Sequence, residues 1–209
     1  MTYLSLRDDV APDRIGAPGI CASGGYVIPA AATDHRIKAV ATVSAVDTGS
    51  LFRDGLGRTQ DPQILQGMLD ASGAARTEEA DGAPTRLQQI HPDTGEQAKA
   101  GGQHVYDGWE YYRTPRAQHP RSENHFVLRS IDLIAQFDAF GLIHLIAPRP
   151  LLMIAGTRAA TAYLTSEAIE KAQGPKELFW IDGATHVDLY DKDEYVPGVI
   201  SKLARFFAA

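Results

Sequence analysis

The chain has a single cysteine, no long apolar run and no excess of basic residues. One thiol cannot close an internal disulfide, so no covalent framework holds the fold. No apolar stretch approaches the roughly 18 residues that a membrane-spanning helix needs. Lys and Arg number 20 against 26 Asp and Glu, a net charge of −6, and they are scattered along the chain. That balance removes any electrostatic reason to bind a nucleic acid or an anionic membrane. The start, MTYLSLRDDV, has neither the basic lead nor the apolar core of a signal peptide. These absences point to a soluble cytoplasmic protein with no polyanion partner.

What is present suits a buried core. With 209 residues, 44% hydrophobic and 22% charged, the chain is long enough for one domain with an inserted subdomain. Four short apolar runs have strand character: residues 15–20, 37–43, 150–155 and 177–181. Helical patterns cover 24–33, 166–173 and 196–207, the last with Val199, Ile200, Leu203, Phe206 and Phe207 at helical spacing. Strands and helices in this order predict an α/β fold, a parallel sheet flanked by helices. Pro29 is expected to kink the first helix or to end its first turns.

The interval 44–147 has no clear strand and is too long for a loop inside a compact domain. Its charged helical stretches, the Gly, Ala and Thr-rich segment 71–85 and the aromatic run VYDGWEYYRTP predict a helical insertion that caps the sheet's C-terminal edge. The expected organisation is a first part of the α/β core at 1–43, a helical cap at 44–147 and a second part of the core at 148–209. Trp109, Tyr111, Tyr112 and Phe126 either line a cap pocket for an apolar or aromatic acyl group or, the commoner use, pack as cap core.

The cysteine lies in the stretch GICASGG, where the first strand ends at Ile20 and an alanine-rich helix follows. A strand, a tight turn of small residues and a helix make the setting of a nucleophile elbow. Gly19, Ser23 and Gly24 let the backbone turn sharply there. The helix N-terminus aims free N–H groups and partial positive charge at the thiol, the surroundings a thiolate nucleophile needs. The Ala22 N–H is a candidate oxyanion donor. A lone cysteine is otherwise a small buried hydrophobe; the turn is what favours the nucleophile. Ser23 is a rival, since Cys21-Ala22-Ser23-Gly24-Gly25 also fits small-x-Ser-x-Gly, but it falls in the helix's first turn. Of the seven histidines, His186 follows the fourth strand, on the rim where parallel α/β sheets place their sites. It is the candidate general base. His119 and His125 lack neighbours at metal-ligand spacing, so no metal is expected.

Together the elbow GICASGG, the strand and turn RPLLMIAGTRA, the loop IDGATHVDLYD, the terminal YVPGVISKLARFF and the segment YYRTPRAQHP resemble the α/β-hydrolase superfamily, in particular its dienelactone-hydrolase-like branch. The resemblance runs from about Asp13 to the C-terminus. It implies hydrolysis of an ester, lactone or related acyl bond, with Cys21 as nucleophile, His186 as base and no cofactor. Two departures stand out. The turn that carries the triad acid in that family, in a pattern like Gly-x-x-Ala-Asp-Thr, reads here Gly156-Thr157-Arg158-Ala159-Ala160-Thr161, which sets Ala160 at the acid position. The nearest carboxylates in sequence are Glu167, Asp182 and Asp188. The strands that precede the elbow in that family, its N-terminal half, also have no counterpart here, so 15–20 is expected to be an edge strand. Such an edge predicts a homo-oligomer or pairing with the missing half. The alternative reading is a non-catalytic remnant of the fold that binds a small ligand or a partner chain.

Overall fold

Short aliphatic runs and the helices between them build a four-stranded parallel sheet in the computed structural model, which describes residues 1–209. After a single helical turn, α1 (Thr2–Ser5), the chain forms β1 (Gly16–Ile20), α2 (Ala22–Thr33) and β2 (Ala39–Val43). It then passes through α3 (Thr48–Asp54), α4 (Pro62–Ala80), β3 (Leu87–Gln89), α5 (Gly95–Ala100), α6 (Gln103–Arg113), β4 (His125–Val127) and α7 (Ile131–Gln136). The remainder is β5 (Leu151–Gly156), α8 (Ala162–Lys171), β6 (Lys176–Ile181), α9 (Asp188–Asp191) and α10 (Val196–Ala208). The chain divides into two compact units, 1–48 with 138–209, and 49–137. No helix is long and apolar enough to cross a membrane.

In the first unit the sheet order is β1-β2-β5-β6, all parallel. Side chains alternate across a strand. Ala41, Val43, Leu152 and Ile154 face α9 and α10, where Leu189, Val199, Leu203, Phe206 and Phe207 close one core layer. Val40, Thr42, Leu151 and Met153 take the opposite face, against which α2 and α8 pack. The α/β class and the flanking helices are therefore as the apolar pattern predicts. Two features differ from expectation. The helix α2 runs unbroken through Pro29, because Ile28, Ala31 and Ala32 are all fully or almost fully buried and their packing outweighs one lost hydrogen bond.

The second difference lies in the second unit, which is helical but also holds a two-stranded antiparallel sheet, β3 with β4. Strands of three residues are too short to show a period of two. This unit has its own core of Ala75, Leu128 and Ile131, packed by Phe52, Met68, Leu69 and Phe126. Arg53 donates to the carbonyls of Ala135 and Phe137 at 2.6 and 2.7 Å, which ties α3 to the end of α7.

Candidate active site

Cys21 stands between β1 and α2 with φ 55° and ψ −125°, a left-handed backbone that only a tightly determined turn imposes on a non-glycine residue. Its amide donates to the Val43 carbonyl at 3.0 Å, and its carbonyl accepts from Gly24 at 2.9 Å and from Val46 at 3.0 Å. Gly19 is required beside it, since a Cβ there would lie 2.3 Å from the Ser23 carbonyl oxygen. The thiol itself is half-buried. Ala22 opens α2, so its amide is one of the first-turn N–H groups that have no acceptor within the helix. Ser23 has another task. Its hydroxyl accepts from the Ile20 amide at 2.8 Å and donates to the Ile20 carbonyl at 2.7 Å, which fastens the strand end to the helix start.

His186 reaches the same rim by a loop that folds back over the sheet. β1 and β6 are the outer strands of the four, so a histidine rising straight from β6 would be three strand spacings, about 14 Å, from Cys21. The loop is drawn back toward β5 and β2 through main-chain contacts. Thr157 N–H donates to Ile181, and Arg158 N–H donates to Ala184, both at 3.0 Å. Gly156 permits the approach, because a Cβ there would lie 2.2 Å from the Ala184 oxygen. The buried Ser44, just past β2 and with φ 49°, donates its hydroxyl to the His186 carbonyl at 3.0 Å. His186 is thus anchored beside the end of β2, the strand whose Val43 holds the Cys21 amide.

The His186 ring is 3% exposed and its Nδ1 lies 2.6 Å from the Thr161 hydroxyl, itself 2% exposed. Ala160, which the sequence pattern sets at the acid position, is exposed; the following residue is the one that reaches the ring. Tyr190 stands edge-on to the imidazole at 5.6 Å. Two of the carboxylates near His186 in sequence are engaged elsewhere. Asp182 accepts from the Thr157 hydroxyl at 3.1 Å. Asp188 accepts from the Thr185 amide at 2.9 Å and pairs with Lys192 at 2.8 Å. Burial opposes the Asp188 charge, but the bonds from Lys192 and Thr185 outweigh it and hold its carboxyl below the ordinary carboxylate range. Asp47, in the loop after β2, is a further buried carboxylate of this unit that sequence reasoning did not single out.

Sequence reasoning also missed Ser44 and Thr161. A serine after a strand carries no motif, and a threonine before a helix reads as an ordinary cap. Within the second unit, Phe126 lines an apolar cavity of about 560 Å³ together with Phe52, Met68, Leu128 and Ile131. Trp109, Tyr111 and Tyr112 lie instead along α6, where Trp109 stacks on Tyr106 at 5.9 Å and Tyr112 on His91 at 5.1 Å.

No protein-family model matches the chain. It is 35% identical over 206 residues to the uncharacterized protein YcjY of Escherichia coli (strain K12), across 98% of this chain and 67% of YcjY. It is 33% identical over 208 residues to the uncharacterized protein PA2218 of Pseudomonas aeruginosa, across 98% of this chain and 55% of PA2218. The crystal structure of PA2218 matches with a TM-score of 0.89 and 32% identity, over 99% of this chain and 64% of that one. The crystal structure of the α/β hydrolase GrgF from Penicillium sp. sh18 matches with a TM-score of 0.76 and 20% identity, over 99% of this chain and 67% of GrgF, a likeness of fold. The chain therefore spans about two thirds of the length of YcjY and little more than half of PA2218.

Proposed function

The chain belongs to the family of the Escherichia coli protein YcjY and has an α/β-hydrolase fold, and on that basis we propose that it cleaves ester, lactone or related acyl bonds through Cys21 and His186. The observation that carries this reading is the left-handed Cys21 backbone at a strand-to-helix junction. Such strain on a side chain that could have been glycine is kept where the side chain itself has work to do. In this reading the cysteine elbow and the loop of His186 work in the manner of the dienelactone-hydrolase-like branch, which the residues GICASGG and IDGATHVDLYD support. The Cys21 sulfur attacks the acyl carbon while His186 Nε2 takes the thiol proton, and the Ala22 N–H supports the oxyanion. His186 then returns the proton to the leaving alcohol oxygen, which departs and leaves a thioester. Water, deprotonated by His186, attacks the thioester; the acid leaves and the thiol is restored.

A second reading is favoured by one observation: the group at His186 Nδ1 is a neutral hydroxyl, without the charge that stabilises an imidazolium. In that reading the fold is a non-catalytic remnant that binds a small ligand or a partner chain. Hydrolysis of p-nitrophenyl acetate and alkylation of Cys21 by iodoacetamide separate the two. Catalysis requires ester turnover that Cys21→Ala abolishes and His186→Ala lowers by about 100-fold or more. An inert parent whose thiol reacts at the same rate with and without His186 establishes the remnant.

The proposal extends to a partner. The starts of β1, β2, β5 and β6 and the end of α10 border a cleft of about 850 Å³, lined by Gly16, Pro18, Phe206 and Phe207 together with charged residues such as Arg14 and Glu177. A second copy of the chain packs there.

A further inference from the structure

We infer that Thr161 is the positioning residue of His186, fixing the imidazole with its proton on Nδ1 so that Nε2 carries the lone pair of the base. The inference rests on the proposed Cys21–His186 reading and adds a third group to it. Thr161 occupies the N-cap position of α8, where a threonine hydroxyl ordinarily accepts from an amide of the first turn. It makes no such bond here. Only its main chain serves the helix, the Thr161 carbonyl accepting from Leu164 at 3.0 Å. The hydroxyl is turned to the His186 ring instead, at 2.6 Å from Nδ1. The helix forgoes a stabilising cap, and the hydroxyl serves the ring instead.

The environment makes that contact a fixed one. Both residues are almost completely excluded from water, so a buried ring nitrogen without a partner would carry a desolvation cost. The two loops that bear them are laced together by the Arg158–Ala184 bond and by the Thr157 hydroxyl, which accepts from Gly183 at 2.9 Å and donates to Asp182 at 3.1 Å. Ser44 holds the His186 main chain from the other side. With the main chain held, the direction of the Thr161–His186 bond decides the tautomer. If Nδ1–H donates to Oγ1, Nε2 keeps its lone pair and can take the thiol proton; if Oγ1–H donates to Nδ1, Nε2 is protonated and cannot. A base role at Nε2 demands the first arrangement. A hydroxyl supplies orientation without negative charge, so it steers the ring while contributing nothing to an ion pair.

The test reads the tautomer directly. Nitrogen-15 NMR of the imidazoles, with His186 assigned by loss of its signals in His186→Asn, should show the parent in the Nδ1–H form at neutral pH. Thr161→Val, which replaces the hydroxyl by a methyl of similar size, should move the ring toward Nε2–H, and Thr161→Ser should restore it. Iodoacetamide alkylation of Cys21 should slow about tenfold in the valine variant and stay within about twofold of the parent in the serine variant. Loss of ester turnover in the valine variant should fall on kcat rather than KM. A parent ring in the Nε2–H form, or a valine variant with an unchanged tautomer, overturns the inference. The parent spectrum decides even where the valine variant fails to fold. An Nδ1–H ring beside a thiol that is indifferent to His186→Ala instead removes the dyad, so the two failures are told apart.

Discussion

At the residue scale the site depends on which side chain a turn sends inward. The settings of Cys21 and His186, a small-residue elbow and a loop after a strand, were legible, and on them the proposed dyad rests. Thr161 was not legible, because counting along the turn sets Ala160 at the acid position while the backbone exposes Ala160 and buries its neighbour. One position of offset separates a missing orienter from a hydroxyl at 2.6 Å. Asp188 shows how a carboxylate near the histidine in sequence serves the loop instead. Its folded pKa lies below the ordinary value, so it adds stability above the unfolded carboxylate range and loses it as pH falls through the folded value. Asp188→Asn should therefore lower the melting temperature at pH 7 by about 2–4 °C, roughly 1 kcal/mol. The gap should narrow below about pH 4 and close at lower pH. A gap that does not change between pH 7 and pH 3 would show that the charge of Asp188 is irrelevant and only its shape matters.

At the scale of elements the sheet was legible and its details were not. The runs read at 37–43, 150–155 and 177–181 became Ala39–Val43, Leu151–Gly156 and Lys176–Ile181; β2 and β5, buried on both faces, are near-continuous apolar runs, while β6 is a half-exposed outer strand that keeps its apolar residues at 178–181. β3 and β4 carry no such signal, being largely exposed on β3 and only three residues long each. Pro29 misled for a different reason. Local propensity says that it kinks α2 or ends its first turns; the helix instead continues past it to Thr33, with Ile28, Ala31 and Ala32 packed around it. The missing amide leaves the Gly25 carbonyl without its intrahelical donor, a loss of up to about 3 kcal/mol that is partly offset by the stiffness proline gives the unfolded chain. Pro29→Ala should thus raise stability by about 1–2 kcal/mol, read as a melting temperature about 3–6 °C higher. An unchanged or lower melting temperature would mean that the proline ring fills space that an alanine leaves empty.

At the scale of the whole molecule the outer edge of β1 governs the proposed association. Cys21 donates to Val43, while Val40 and Ser44 donate to the β5 side. The ladder therefore turns the odd-numbered residues of β1 toward β2 and the main-chain groups of Gly16, Pro18 and Ile20 outward. That edge is already partly blunted. Pro18 has no N–H to offer, and the Ser23 hydroxyl occupies both the amide and the carbonyl of Ile20. A partner strand would find a short and interrupted ladder, so association relies on apolar packing in the cleft by Phe206 and Phe207 more than on backbone pairing. Sedimentation velocity should show reversible self-association that grows with concentration. Ser23→Ala, which releases the Ile20 N–H and C=O, should strengthen it, whereas Phe206→Glu should weaken it by placing a charge in the cleft. A parent that remains monomeric at every concentration, with a Ser23→Ala variant that does the same, would mean that Pro18 and the Ser23 hydroxyl close the edge by themselves and that no second copy is needed.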